Sequence, residues 1–175
     1  MDTWKEFEAN ELTHSAAHHL LAIHEVGAAY GGWARVSDIA RRLNITRGSV
    51  SINLRTLKKR GWVETDQHRL VRLSPKGLHV VHSVAAKRSI VRTFLCDVLG
   101  IPEAQADIDS CKIEHLISHA TGQRLARFMQ FLSSPLNQQL IARFHASHAS
   151  CPRSRTCEVC KSEGRCLVDE LKRAI

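Results

Sequence analysis

The chain has 175 residues, of which 43% are hydrophobic, and it carries a net charge of +8. That apolar content suffices for a core and excludes a disordered chain, and the length suits one domain or two small ones. No apolar run approaches the ~18 residues that a membrane-spanning helix needs, and the polar, acidic N-terminus is unlike a signal peptide. The sequence therefore predicts a cytoplasmic protein that does not engage a membrane.

Three helices separated by short turns are predicted first. Apolar residues at helical spacing place them at residues 11–29, 36–43 and 47–60. Ser37 is a candidate N-cap of the second helix, and Thr46 is predicted to cap the third. Gly61 ends the third helix. Helix, short turn and helix in this order is the pattern of a helix-turn-helix motif.

A small hairpin and a long helix follow. Residues 62–65 and 70–73 alternate apolar and polar side chains with a period of two, which predicts two strands that form a wing. Ser74 and Pro75 are typical of a helix start, and the helix that they begin is predicted to reach about residue 99. The remaining predicted helices are 103–119, 121–132 and 135–148.

These elements predict a mainly α fold with a small β wing, in which an N-terminal winged helix-turn-helix precedes a second, helical domain. The predicted domains are 1–76, 77–149 and a cysteine-rich tail at 150–175.

The positive charge is concentrated in the winged helix-turn-helix. Residues 35–76 hold eleven Lys and Arg against three acidic residues, an excess that equals the net charge of the whole chain. Such a concentration is the electrostatic footprint of a phosphate-binding surface. A solvated basic face, or a winged helix that binds another protein, is the alternative explanation. The coincidence of charge and motif favours double-stranded DNA.

The second helix of the motif and the wing carry the side chains expected to contact DNA. Arginine pairs with guanine, asparagine with adenine, and serine reaches bases or phosphates. Phosphate contacts position a protein without carrying sequence information. The candidates are Arg47, Ser49 and Ser51 for base edges, Asn53 on the outer face of the same helix, and Arg55, Lys58 and the wing residue Arg69 for phosphates.

Cys111, Glu114 and His115 form a constellation of metal-ligating residues. Their spacing of i, i+3 and i+4 places them on one face of a helix. A thiolate, a carboxylate and an imidazole together suit Zn, Fe, Co or Ni rather than Ca or Mg. A buried apolar filler is the alternative role for Cys111 alone. Three ligands leave one coordination position to be filled from elsewhere.

Three stretches within residues 11–132 resemble the family of the diphtheria toxin repressor and the manganese transport regulator, which are metal-dependent transcriptional repressors. They are Gly32–Ala40 with Ser49-Val50-Ser51, Leu73–Gly77, and Cys111–Ser118. The resemblance implies a homodimer in which residues 1–76 bind DNA, and residues 77–149 form a helical dimerisation domain that binds a divalent metal such as Fe, Zn or Mn. It also implies that the fourth ligand comes from the first helix, at His18, with His19 as the substitute. Metal binding would then fix the angle between the DNA-reading unit and the dimer core.

Three residues depart from the family pattern. Arg88 and Arg92 stand where relatives place a His and a carboxylate for a second metal, and Leu21 stands where manganese sensors keep Glu. The two-metal manganese site is therefore predicted to be absent. The alternatives for the arginines are a pairing with an acid or an anion, or a guanidinium in place of the core metal.

A second group of potential ligands lies near the C-terminus. The four thiols are Cys151, Cys157, Cys160 and Cys166. The central C-x2-C pair lets two thiolates hold one metal, and four cysteines suit either an iron–sulfur cluster or zinc. The spacing is similar to the cysteine motif of small winged-helix iron-transport proteins, which favours the cluster. His145 and His148 are possible substitute ligands, and a redox-sensitive tail without metal is the alternative.

Together these features predict a homodimeric, metal- or cluster-responsive transcriptional regulator, and more specifically a repressor of metal or iron homeostasis genes. The alternative is a redox or iron–sulfur accessory protein whose winged helix binds a protein partner. The sequence has none of the common catalytic motifs, such as H-E-x-x-H or a phosphate-binding glycine loop, so we do not expect an enzyme.

Overall fold

A computed structural model describes residues 12–146, and within them it confirms the mainly α fold with a small β wing. The helices are α1 (His14–Ala28), α2 (Val36–Leu43), α3 (Arg47–Lys59), α4 (Pro75–Thr93), α5 (Glu103–Ile113), α6 (His119–Leu132) and α7 (Pro135–Ala146). The strands are β1 (Val63–Thr65) and β2 (Val71–Leu73), and a π-helical segment, Phe94–Val98, extends α4. None of these helices is long and apolar enough to cross a membrane.

Side-chain caps begin several of the helices. The hydroxyl of Thr46 accepts a hydrogen bond from the Ser49 N–H over 3.1 Å, which confirms the predicted cap of α3. The hydroxyl of Ser74 accepts from the Gly77 N–H over 3.0 Å at the start of α4, again as predicted. Each cap satisfies one of the N–H groups that a first helical turn leaves unpaired.

The predicted cap of α2 was wrong. The helix spans Val36–Leu43, as its predicted range has it, so Ser37 lies inside the first turn, and Arg35 holds the N-cap position without a side-chain capping hydrogen bond to the described residues. Ser37 instead donates to the Asp38 carboxylate over 3.4 Å. Asp38 supplies the negative charge that the N-terminal end of a helix favours, so α2 begins without a hydroxyl cap.

One apolar core joins the first three helices to the wing. Its most deeply buried members come from different elements and are Leu20, Ile23, Ile39, Val50, Leu57, Trp62 and Val71. The predicted inward face of α3, Val50, Leu54 and Leu57, is confirmed as buried. Because α1 contributes to the same core as α3, a displacement of α1 is transmitted to α3 by packing.

The wing is a tight antiparallel hairpin. Val63 pairs with Leu73 and Thr65 with Val71. At its turn the Asp66 carboxylate accepts hydrogen bonds from the backbone N–H groups of His68 (2.9 Å) and Leu70 (2.8 Å). The intervening Arg69 adopts a φ of 61°, a left-handed conformation that non-glycine residues seldom take.

Gly77 fixes the wing against the start of α4. A Cβ atom built on Gly77 would collide with the backbone carbonyl of Trp62. The same carbonyl accepts a hydrogen bond from the Ser74 N–H over 3.0 Å. Only a residue without a side chain permits this close approach of two backbones.

The helix predicted over 103–119 is shorter in the structure. It ends at Ile113, and Glu114 and His115 lie in the following turn, where the Glu114 N–H still donates to the Ser110 carbonyl over 2.9 Å. The hydroxyl of Ser118 accepts from the Thr121 N–H over 3.1 Å and begins α6. Residues 114–118, which the sequence pattern assigns to a helix, therefore separate α5 from α6.

The described residues divide between Met129 and Gln130 into two compact units. The first holds the winged helix-turn-helix, α4, α5 and most of α6. The second holds the end of α6 and α7, where the Asn137 side-chain amide donates to the Phe131 carbonyl over 2.8 Å.

Candidate metal centre and nucleic-acid interface

Most of the candidate DNA-contacting side chains are exposed. These are Arg47, Ser49, Ser51, Arg55 and Lys58 on α3 and Arg69 at the turn of the wing. The Ser51 hydroxyl donates to the Arg47 carbonyl over 2.9 Å, and Lys58 Nζ donates to the Thr65 hydroxyl over 2.6 Å, which ties α3 to the wing. The helix and the wing therefore present one continuous basic surface.

Asn53 differs from the other candidates because it is half-buried. Its amide nitrogen donates to the Ser49 carbonyl over 3.1 Å, and its amide oxygen accepts from the hydroxyl of Ser15 on α1 over 3.3 Å. Asn53 thus connects the recognition helix α3 to α1. A base contact by Asn53 would require at least part of this network to open.

The predicted ligands His18 and Cys111 lie side by side. His18 Nε2 on α1 is 3.2 Å from Cys111 Sγ on α5, although the two residues are 93 positions apart. The structure therefore brings the winged-helix part of the chain and the helical part together at two metal-ligating atoms.

His14 is a third potential ligand that sequence reasoning missed. The ligand atoms of His14, His18 and Cys111 all lie within 4.8 Å of one another, and this group is the candidate metal cluster that residues 12–146 contain. His14 precedes His18 by one helical turn, so the i, i+4 spacing of two histidines was the available signal.

His115 lies next to the three-residue group. Its ring centroid is 5.0 Å from that of His14, which in turn is 4.3 Å from the ring of His18. His115 Nδ1 is buried and has no hydrogen-bond partner among the described residues. His19, the proposed substitute for His18, instead directs its Nδ1 to the Ser15 carbonyl at 2.7 Å.

Glu114 is fully buried, with 0% of its surface exposed. Within the part of the chain that the structure describes, neither carboxylate oxygen has a hydrogen-bond partner. Arg88 Nε lies 3.9 Å from Glu114 Oε2, close enough for an ion pair but too far for a hydrogen bond. A buried carboxylate without hydrogen bonds is costly, and it marks a place where a cation is favoured.

Arg92, the other departure from the family pattern, is paired with acids. Its Nε donates to Asp107 Oδ1 over 2.7 Å, and its Nη2 lies 3.5 Å from Glu103 Oε2. Both carboxylates belong to α5, so Arg92 fastens α4 to the helix that carries Cys111. The predicted pairing of an arginine with an acid accordingly describes both Arg88 and Arg92.

The electrostatics of the cluster suit metal binding. Burial raises the pKa of Glu114 to about 7, against an opposing effect of Arg88. Burial also lowers the pKa of His18 and of His115, and raises the pKa of the Cys111 thiol. Neutral imidazoles offer free lone pairs, whereas the thiol must lose its proton when it becomes a ligand. These donors, of which Glu114 is buried and His18, Cys111 and His115 are half-buried, fit a transition-metal ion.

The structure does not describe the four cysteines of the tail. Cys151, Cys157, Cys160 and Cys166 lie outside the described residues, as does His148. Their ligand roles stay predictions.

Two family profiles match successive parts of the chain. The profile of the MarR family matches residues 11–69. The profile described as "iron dependent repressor, metal binding and dimerisation domain" matches residues 74–139, which include Cys111, Glu114 and His115.

Individual relatives agree with these matches. The chain is 30% identical over 100 residues to MntR of Bacillus pumilus, covering 57% of this chain and 69% of that protein. It is 29% identical over 116 residues to MntR of Lysinibacillus sphaericus, covering 66% and 81%. The crystal structure of T. acidophilum IdeR superposes with a TM-score of 0.54 and 27% identity, covering 65% of this chain and 53% of the other.

The order of the elements, the two profiles and the similarity to MntR proteins over most of their length agree with one another. The chain therefore belongs to the diphtheria toxin repressor and manganese transport regulator family, whose members are transcriptional regulators that bind DNA and not enzymes.

Proposed function

We propose that the protein is a homodimeric, metal-responsive transcriptional repressor of metal homeostasis genes. The observation that carries the proposal is the 3.2 Å approach of His18 Nε2 to Cys111 Sγ. One atom belongs to the helix that packs on the DNA-reading motif, and the other belongs to the helical segment matched by the dimerisation profile. A metal held there would link the two elements, and we propose that the protein acts in the cytoplasm.

The DNA contacts that we propose follow the exposed basic surface. Arg47, Ser49 and Ser51 at the start of α3 read base edges, and Asn53 is a further candidate on that helix. Arg55, Lys58 and Arg69 bind phosphates. The support is the exposure of these side chains together with the concentration of the whole net charge in residues 35–76.

The sequence-predicted ligands of the core metal site are His18, Cys111, Glu114 and His115, and Fe, Zn or Mn are the expected ions. The metal would supply a bond that fixes α1 relative to α5. In a dimer such a bond sets the separation of the two recognition helices. Coupling of this kind is typically worth ~1–3 kcal/mol, which corresponds to a change of roughly 5- to 150-fold in DNA affinity.

We propose a second metal-containing centre in the tail, an iron–sulfur cluster at Cys151, Cys157, Cys160 and Cys166, with zinc as the alternative. The support is the spacing of the four cysteines. Anaerobically purified protein with an iron–sulfur cluster is brown and contains acid-labile sulfide. Colourless protein with stoichiometric zinc would exclude the cluster.

The test of the main proposal is binding to genomic DNA fragments with and without Fe2+, Zn2+ or Mn2+. We expect metal to raise the affinity of the wild-type protein and to have little effect in C111A and H115A. Cys96→Ala is the matched control, because Cys96 is a half-buried cysteine outside the cluster. A metal response that persists in both core variants would remove the core site from the proposed function.

A further inference from the structure

The third ligand of the core site is better supplied by His14 than by Glu114. His14 lies on the same face of α1 as His18, one turn away, and both offer ring nitrogens to the space beside Cys111 Sγ. Glu114 is not a member of the group whose ligand atoms lie within 4.8 Å of one another. Its carboxylate faces Arg88 instead.

The ion pair with Arg88 disfavours metal ligation by Glu114. The guanidinium is 38% exposed and approaches a carboxylate that is fully buried, so it is the positive charge nearest to that anion among the described ion pairs. An arginine is always protonated. As long as Arg88 occupies this position, a cation drawn toward Glu114 is repelled by a charge of its own sign.

We propose that His14, His18 and Cys111 form a nitrogen- and sulfur-rich metal site, selective for a borderline cation such as Zn2+, while Arg88 keeps Glu114 out of the coordination sphere. This inference rests on the proposed function, because it names the ligands and the metal class of the same core site. The ring centroid of His115 lies 5.0 Å from that of His14, but His115, like Glu114, is not a member of the group within 4.8 Å.

The chemistry of the donors decides the metal class. Thiolate and imidazole are the ligands that zinc takes in four-coordinate sites, whereas Mn2+ favours carboxylate, carbonyl and water oxygens. Loss of the carboxylate from the set therefore lowers affinity for Mn2+ more than affinity for Zn2+.

Direct metal titration tests the assignment. The titration uses the 175-residue chain with all four tail cysteines replaced by serine, so that metal binding at the core site alone is measured. Zn2+ and Mn2+ affinities come from competition with a chelator, and Co2+ absorption reports thiolate coordination through its sulfur-to-metal charge-transfer band. Circular dichroism of each metal-free variant checks that it is folded.

Loss of an outer-shell partner typically lowers metal affinity roughly 10- to 100-fold. We expect His14→Ala, which removes a direct ligand, to weaken Zn2+ binding by at least that much. His24→Ala, an exposed histidine farther along α1, is the matched control and should bind Zn2+ normally. Glu114→Gln should leave Zn2+ affinity within about threefold, well below that range. Cys111→Ser should abolish the charge-transfer band, and Arg88→Ala should raise Mn2+ affinity by freeing the carboxylate.

The opposite pattern would overturn the inference. If His14→Ala binds Zn2+ as the parent does while Glu114→Gln loses it, then Glu114 is the ligand and Arg88 does not exclude it. If Arg88→Ala leaves Mn2+ affinity unchanged, the exclusion of Glu114 is wrong. Both results bear on the ligand set of the core site, whereas the proposal of metal-responsive DNA binding fails separately, if bound metal does not change DNA affinity.

Discussion

The hydroxyl of Ser15 on α1 donates a hydrogen bond to the amide oxygen of Asn53 on α3 over 3.3 Å. Ser15 immediately follows His14 and is three residues before His18, so the hydrogen bond begins beside the metal centre and ends on the recognition helix. It is a direct polar connection between the candidate sensor and the candidate DNA-reading surface.

Ser15→Ala should therefore weaken the effect of metal on DNA affinity without weakening metal binding itself. A hydrogen bond of this kind contributes about 0.5–1.5 kcal/mol, so we expect the metal-dependent gain in DNA affinity to fall about two- to tenfold. DNA titrations with and without metal measure the gain. Ser89→Ala, an exposed serine on α4, is the control. An undiminished gain in Ser15→Ala would show that apolar packing alone carries the coupling.

Arg55→Ala should lower the dependence of DNA affinity on salt. Each phosphate contact adds about 0.9 to the slope of log affinity against log salt concentration, so the variant should lose about one unit of slope. The loss should be similar for specific and non-specific DNA. Lys112→Ala on α5 lies outside the proposed interface and should keep the wild-type slope. An identical slope in both variants would count against a phosphate contact at Arg55.

Arg47→Ala should act on specificity rather than on general affinity. A bidentate arginine–guanine contact is worth ~1–3 kcal/mol of discrimination, so the preference for one base pair in the binding site should relax while the others persist. Selection of binding sites from a random DNA library, compared between variant and wild type, measures this. A uniform loss at every position would instead identify Arg47 as a phosphate contact.

Gly77→Ala should destabilise the fold, because the new methyl group collides with the Trp62 carbonyl. Overpacking of this kind typically costs ~1–3 kcal/mol in the free energy of unfolding. Gly48→Ala is the opposite case, since its Cβ would meet the Thr46 hydroxyl at an ordinary 3.7 Å within α3. That substitution should stabilise the protein by about 0.5–1 kcal/mol. Urea unfolding monitored by circular dichroism measures both, and equal stabilities would contradict the close approach at Gly77.

Local features of the fold could be predicted from the sequence because their causes are local. The caps at Thr46 and Ser74 depend on a hydroxyl and an N–H three residues apart, and the wing depends on alternation within four residues. The ends of helices were predicted less well. The range of α2 was right, but Ser37 lies inside its first turn and does not cap it, and α5 ends at Ile113, before Glu114.

The full set of residues in the candidate metal centre could be identified only from the three-dimensional fold. The approach of His18 to Cys111 was predicted from a family resemblance, since 93 intervening residues carry no local signal for it. The place of His14 in the cluster and the pairing of Arg88 with Glu114 depend on how α1, α4 and α5 pack. Spacing within α1 could suggest that His14 and His18 share a face, but not that this face meets a thiol.

The turn of the wing has a consequence for how the protein would meet DNA. The Asp66 carboxylate restrains the backbone on both sides of Arg69 through its hydrogen bonds to His68 and Leu70, and Arg69 already holds its unusual left-handed conformation. The wing tip is thus ordered before any encounter with a duplex. Little conformational entropy remains to be lost there on association, so the charge of Arg69 acts from a preorganised position rather than from a loop that must first be captured.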